Sequence, residues 1–334
     1  MTPGDATPDG PTAVAGGERA PARRTADVAV VVPAKDAVGV LDGALASFAA
    51  QTVRPAEVVV VDDGSSDGTA ALARSWADQL PVRVVRLRTS VGPGRARRAG
   101  VDSSSARLLT FLDADDVVLP THLEELVALH ERHGGIVSPD GLFWWPGKGI
   151  DPLTYRHHRP VREPAAQWHD VLTHNFLTTA SLVSRADHDA AGGWRGDYDG
   201  AEDWDLWIRL LRDGVRVTAG SATYLYRQSV SSLSRESRTA EASLRLVQSL
   251  LPQLGPADRA VAARSRRRWR AQVATGRALR HARAGRSLAA RTSALPALAS
   301  PSRGGTARGL ALVLAPRSAA ELADRRAERL WSRG

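Results

Sequence analysis

The chain has 334 residues, 43% of them hydrophobic, and no cysteine; that suffices for one large α/β domain with an appendage or two modest domains, and it excludes disulfides, thiolate metal sites and a thiol nucleophile. The net charge of +9 is uneven: residues 241–334 carry 19 arginines against 5 acids, or +14, which leaves the first 240 at −5 (9 − 14). A basic C-terminal extension of this kind suits an anionic partner such as a membrane surface.

Residues 1–25 are rich in Pro, Gly, Ala and Thr, carry acids and lack an apolar run, so a disordered leader is expected rather than a signal peptide. Val28–Val32 is a continuous β-branched run ending at Pro33, the pattern of a strand buried on both faces of a parallel sheet. Val40–Ala50 has helical spacing of Leu41, Leu45 and Phe48. Glu57–Val61 reads as a second buried strand, Thr69–Leu80 as a helix, Val82–Leu87 as a third strand, Arg95–Val101 as a helix and Leu108–Leu112 as a fourth strand. This alternation predicts a doubly wound α/β sheet, in which ligands sit at the carboxyl ends of strands. An amphipathic helix is expected over Thr121–Arg132, an aromatic, turn-rich stretch over 134–175 and a helix over Ala201–Arg212. Beyond about residue 240 the chain reads as arginine-rich helix broken near Pro252, Pro256, Pro296 and Pro301. The expected division is a leader at 1–25, a catalytic domain at 26–238 and a helical extension at 239–334. No stretch approaches the length of a membrane span, and a cytoplasmic protein is expected, docked peripherally at the inner face of the plasma membrane if the extension meets lipid.

Three acidic clusters carry the chemistry. Asp62-Asp63-Gly64-Ser65-Ser66-Asp67-Gly68-Thr69 closes the second strand, where carboxylates can accept hydrogen bonds from a base or ribose; a turn with a helix cap is the plainer alternative. Asp113-Ala114-Asp115-Asp116 closes the fourth strand. Three acids in four residues repel one another unless a cation or donors compensate, and an oxygen set suits Mg2+ or Mn2+ beside substrate phosphates; a solvated acidic turn is the alternative. Glu202-Asp203-Trp204-Asp205-Leu206-Trp207 opens a helix, where acids meet the macrodipole favourably or supply a general base.

The order of these motifs resembles glycosyltransferase family 2, an inverting family with the GT-A fold, over roughly residues 28–235. The resemblance implies a mixed, Rossmann-like α/β sheet and transfer of a sugar from a nucleotide-diphosphate donor to an acceptor hydroxyl, as in cell-envelope or other glycan synthesis. It implies that Pro33 and Ala34 line the nucleotide, that Asp62, with Asp63 beside it, contacts the base, and that Arg97 and Arg227 serve the donor. Asp113 and Asp115 match the DxD pair, Asp115 being the metal ligand for Mg2+ or Mn2+. Asp203 matches the catalytic base, with Asn175, Glu202 and Trp204 on the acceptor side; Gly192-Gly193-Trp194 matches the acceptor-side segment too. The donor expected through Asp62 is a uridine- or thymidine-type diphosphate sugar, and the acceptor a glycan or lipid-linked glycan. Two departures stand out: Arg98 replaces the family's usual Asn, and Ser229 stands where relatives often carry a metal-binding His.

Glu202 and Asp203 lie about 100° apart on a helix, so they are not expected to face one substrate. His157, His158, His169 and His174 lack metal spacing with nearby acids, and the aromatics of 143–168 are expected in the core or in a lid brace. An Asp-x-Asp phosphatase would leave the first cluster unexplained. The other reading is a catalytically inactive family member that binds nucleotide sugars or an anionic partner; nucleic acid is not the expected partner of Arg264–Arg270.

Overall fold

The computed structural model describes residues 24–228 and 230–332; the leader expected at 1–25 lies, up to residue 23, outside them. The first half of the chain alternates strand and helix: β1 (Thr25–Ala34), α1 (Leu41–Ala49), β2 (Arg54–Asp62), α2 (Thr69–Ser75), β3 (Val82–Arg86), α3 (Pro93–Asp102) and β4 (Leu108–Phe111). Then come β5 (Val117–Val118), α4 (His122–His133), β6 (Ile136–Trp145), β7 (Gly149–Thr154), α5 (Tyr155–His158), α6 (Pro164–Thr173), β8 (Val183–Ser184), α7 (Arg185–Ala190), α8 (Glu202–Arg212) and β9 (Val217–Arg227). Helices α9 (Val230–Leu250), α10 (Pro256–Arg283), α11 (Ser287–Ala294), α12 (Arg303–Leu314) and α13 (Pro316–Ser332) complete the chain.

The main sheet has the order β3-β2-β1-β4-β8, parallel except for β8. Its centre is the apolar run of β1: Val28 to Val32 are each 0% exposed, because helices cover both faces of a parallel sheet. α3 crosses β1 and β2 closely enough that a Cβ on Gly100 would overlap the Val31 side chain, so glycine there sets the depth at which Arg97, one turn earlier, enters the site. A second sheet, β5-β9-β6-β7, stands beside the first.

Two local expectations differ from what is observed. α2 ends at Ser75 rather than near Leu80, because the chain tightens into i→i−3 bonds at Trp76 and Ala77 and Pro81 disfavours helix just before it. The stretch 134–175 is not mainly turns: it holds β6, β7, α5 and α6. Register shifts around Ser138, Asp140 and Gly141 break the two-residue period of β6, and its parallel partner β9 is remote in sequence, so no local pattern announces either strand.

Helices α9 and α10 share the core of the sheet domain, while α11, α12 and α13 pack in separate small clusters on α10. Trp269 of α10 is buried in one apolar cluster with Phe111, Trp194, Trp204 and Trp207. Residue 238, the expected boundary, falls inside α9, and the 3-10 turns Leu251–Gln253 and Leu295–Ala299 mark the breaks expected near Pro252 and Pro296.

Candidate active site

The carboxyl ends of β2, β1 and β4 lie side by side, with Ala34 opposite Asp62 and Val31 opposite Phe111. This register gathers Pro33, Ala34, Asp62, Asp63 and the Asp113–Asp116 loop at one edge of the sheet. Asp62 is fully buried. Its Oδ1 accepts from the Ser65 amide at 2.8 Å, while Oδ2 lies 3.3 Å from Arg86 Nε yet accepts no hydrogen bond. Asp63 is saturated: it accepts from Ser90 Oγ (2.7 Å), Val91 N (2.7 Å) and Gly92 N (3.1 Å). It thereby fastens the loop before α3, where Gly92 has a φ of 88° that favours glycine.

Arg97 joins this edge to the start of α8. It is 3% exposed, donating to Asp113 Oδ1 at 2.5 Å and to Glu202 Oε1 at 2.8 Å, and its guanidinium lies 4.8 Å from the ring of buried Trp194. Burial opposes its charge, but Asp113 and Glu202 hold it firmly protonated. Glu202 also accepts from the Gly200 amide at 2.7 Å. Asp203 faces elsewhere, as the helical spacing requires: Oδ2 accepts from Asn175 Nδ2 at 2.7 Å and Oδ1 from its neighbour Trp204 N at 2.7 Å. Asp203 is half-buried. Burial, and then the charge of Glu202, push its pKa up to about 6 against the pull of Arg97. A carboxylate so raised is a better proton acceptor while still ionised at neutral pH. Trp204 turns inward, its indole donating to the Val171 carbonyl at 2.7 Å.

The loop after α6 carries Asn175. Its Oδ1 accepts from Leu177 N at 3.1 Å, and its carbonyl accepts from Tyr155 Oη (3.0 Å) and from Arg159 (2.9 Å). Tyr155 is read from the sequence only as one of the aromatics of a core or lid brace, and Arg159 escapes it because no motif surrounds it.

The third acid of the second cluster has a different place from the first two. Asp116 is fully buried and accepts from Tyr224 Oη and, at 2.8 Å, from the backbone N of Arg227. Burial, with Asp113 and Asp115 adding, holds its pKa well above the usual carboxylate range. Asp116 thus ties β9, and with it Arg227, to the loop; the Arg227 guanidinium stacks 5.4 Å from the Trp144 ring. Ser229 and the side chain of Ser232 lie outside the described residues. Among the described residues no group of three or more His, Asp or Glu is arranged to hold a metal. The half-buried Asp113 and Asp115 remain an oxygen pair of the kind that takes Mg2+ or Mn2+ together with phosphate oxygens, and their charges add to the upward push that burial gives Asp116. Two of the histidines make local hydrogen bonds: His169 Nε2 meets Asp258 Oδ1 of α10 at 3.0 Å, and His174 Nδ1 meets Thr173 Oγ1 at 2.8 Å.

The chain matches the family described as Glycosyl transferase family 2 over residues 29–192. It is 30% identical over 271 residues to the Succinoglycan biosynthesis protein ExoU of Rhizobium meliloti (strain 1021), covering 77% of this chain and 75% of that protein. To the Amylovoran biosynthesis glycosyltransferase AmsE of Erwinia amylovora it is 26% identical over 181 residues, 52% of this chain and 65% of that protein. To the Succinoglycan biosynthesis protein ExoO of Rhizobium meliloti (strain 1021) it is 37% identical over 116 residues, but the match spans 35% of this chain and only 33% of ExoO. Among solved structures, S. aureus TarS 1–349 in complex with UDP-GlcNAc superposes with a TM-score of 0.59 at 17% identity, over 89% of this chain and 91% of that one. The mannosyltransferase PcManGT from Pyrobaculum calidifontis, in complex with GDP-Man and Mn2+, gives a TM-score of 0.54 at 18% identity, over 92% of this chain and 88% of that one. At such identities the likeness is one of fold.

Proposed function

Because this chain belongs to glycosyltransferase family 2 and has the GT-A fold, we propose that it is an inverting glycosyltransferase of glycan synthesis, using a nucleotide-diphosphate sugar and Asp203 as its base. The observation that carries the reading is the Glu202–Arg97–Asp113 bridge. It sets the acidic loop at the sheet edge beside the helix turn that presents Asp203, so a donor and an acceptor hydroxyl can meet between them. The reaction is one in-line displacement. The acceptor oxygen bonds to the anomeric carbon, the bond from that carbon to the diphosphate breaks, and the hydroxyl proton passes to Asp203. A positioned base contributes ~10²–10⁴ in rate.

Asp62 Oδ2, buried and accepting no hydrogen bond, suits a ring N–H of the base, and the family resemblance at Asp62 supports a uridine- or thymidine-type donor; Pro33, Ala34 and Asp63 would line the same pocket. Arg97 and Arg227 would face the diphosphate. Asp115, with Asp113, would hold Mg2+ or Mn2+, which when bound neutralises charge on the departing diphosphate. Arg97, paired with Asp113, keeps that carboxylate oriented. The acceptor would enter past Asn175, Glu202 and Trp204. ExoU and AmsE are named for succinoglycan and amylovoran synthesis, which supports a polysaccharide or lipid-linked glycan acceptor here. No helix among the described residues is long and apolar enough to cross a membrane; the exposed arginines of α10 would suit peripheral docking on an anionic bilayer at the cytoplasmic face, each nearby cation contributing about 1 kcal/mol.

The test is a panel of sugar nucleotides with Mn2+, read by binding calorimetry and by release of nucleoside diphosphate. Binding and turnover of a uridine- or thymidine-type donor support the reading. Tight binding to guanosine diphosphate sugars alone removes the uridine or thymidine preference, and no turnover of any donor removes the enzyme.

A further inference from the structure

The flank of the site beyond Asn175 is cationic. One guanidinium nitrogen of Arg159 donates to Tyr155 Oη at 2.7 Å and to the Asn175 carbonyl at 2.9 Å, and the group lies 5.0 Å from the Tyr155 ring. Helix α10 closes on the same place, with Ser265 Oγ donating to the Thr173 carbonyl at 3.1 Å. About one turn later come Arg268 and Trp269. Trp269 packs 5.8 Å from Trp204, and the Arg268 guanidinium lies 5.5 Å from the Trp269 ring.

These charges converge on His174. Burial, and then Arg159, Arg268 and Arg162 together, push its pKa down to about 4, so it is neutral near pH 7. Burial and Arg159 likewise lower Arg268. The acids of this flank are engaged elsewhere: Asp170 pairs with Arg162 at 3.1 Å and Asp258 with His169 at 3.0 Å. Among the described residues no carboxylate forms an ion pair with Arg159 or Arg268. Arg159 opposes the charge of Arg268, and neither is in an ion pair among the described residues; such a place gains electrostatically when an anion arrives, and guanidinium forks match the oxygens of phosphate and carboxylate.

We propose that Arg159 and Arg268 form an acceptor subsite for a negatively charged group, a phosphate or a carboxylate carried near the hydroxyl that is glycosylated. The subsite rests on the reading of Asp203 as base, since Asn175 is shared: its amide holds Asp203 while its carbonyl holds Arg159. It also gives the C-terminal extension a part in acceptor choice, because Arg268 belongs to α10.

The test uses full-length protein at low salt, titrated with glucose, glucose 6-phosphate and glucuronate and followed by NMR or calorimetry. Arg268→Gln removes an exposed charge and breaks no hydrogen bond within the described residues. Arg266→Gln, also exposed and about 200° round the helix, is the control for loss of charge alone. The expected result is binding of at least one charged sugar roughly tenfold tighter than glucose, lost in Arg268→Gln, kept in Arg266→Gln and weakened by salt. Which of the two charged sugars wins tells phosphate from carboxylate. Equal binding of charged and neutral sugars, no binding of any, or a preference untouched by Arg268→Gln overturns the proposal. Sugar-nucleotide turnover is followed in the same preparations: if wild type turns over no donor the enzymatic reading fails, whereas the titration still reports on the subsite.

Discussion

Asn175 donates from its side-chain amide to Asp203 Oδ2 at 2.7 Å. That bond fixes the carboxylate's direction, and since it favours the ionised form it also limits how far burial can raise the pKa. Asn175→Ala should therefore lower kcat by roughly tenfold through misorientation. It should also move the acid limb of the kcat/KM–pH profile upward from the position near pH 6 expected for wild type from Asp203. A profile that stays in place would mean that the amide does not act on the base.

Burying Asp203 as an anion costs stability. Its folded pKa, pushed up to about 6, lies above the ordinary aspartate value of 3.8, so the folded state is relatively favoured when the group is protonated. Its contribution is fully present below about pH 4 and is lost as pH rises through 6. Asp203→Asn should consequently unfold at a higher temperature than wild type at pH 8, by about 1–3 kcal/mol in stability, with the difference vanishing below pH 4. Thermal unfolding across that range is the check; an equal or lower midpoint at pH 8 contradicts it.

Arg97 compensates two carboxylates at once. Arg97→Met should cost about 3–5 kcal/mol in urea unfolding because buried Glu202 is left unpaired. Adding Glu202→Gln should recover part of that loss while activity stays low. A double variant no more stable than the single one would show that the bridge is not what the loss reports.

Asp115→Asn should abolish divalent-cation-dependent turnover with the fold intact. Removing one of the charges that raise Asp116 should leave stability equal or slightly higher. Near wild-type turnover of Asp115→Asn across a Mn2+ titration would remove Asp115 from the metal site.

Much of this arrangement is legible in the sequence because it is local. The apolar run Val28–Val32 states its own burial, and the acidic clusters follow runs or open a helix whose periodicity is plain, so their placement at strand ends and a helix start needs no tertiary information. The separation of Glu202 from Asp203 follows from helix geometry alone. What stays hidden is long-range. Asp116 reads as one more repelling acid until β9 brings Tyr224 and the Arg227 amide to it across more than a hundred residues. β6 and β9 pair in parallel with shifted register, which leaves neither a clean alternation. Arg268 reads as one arginine among many in a basic helix; only the docking of α10 on Thr173 and Trp204 brings its charge to bear on His174.

The rate of sugar transfer at saturating donor, compared among wild type, Asp203→Asn and Glu202→Gln, bears most directly on the role given to Asp203. The expected result is a fall of roughly 10²-fold or more in Asp203→Asn with donor affinity nearly unchanged, and a smaller fall in Glu202→Gln, whose partner is Arg97. An Asp203→Asn enzyme that keeps most of its rate while Glu202→Gln loses it would move the base to Glu202, and retention of rate by both would contradict base-assisted inversion at this site.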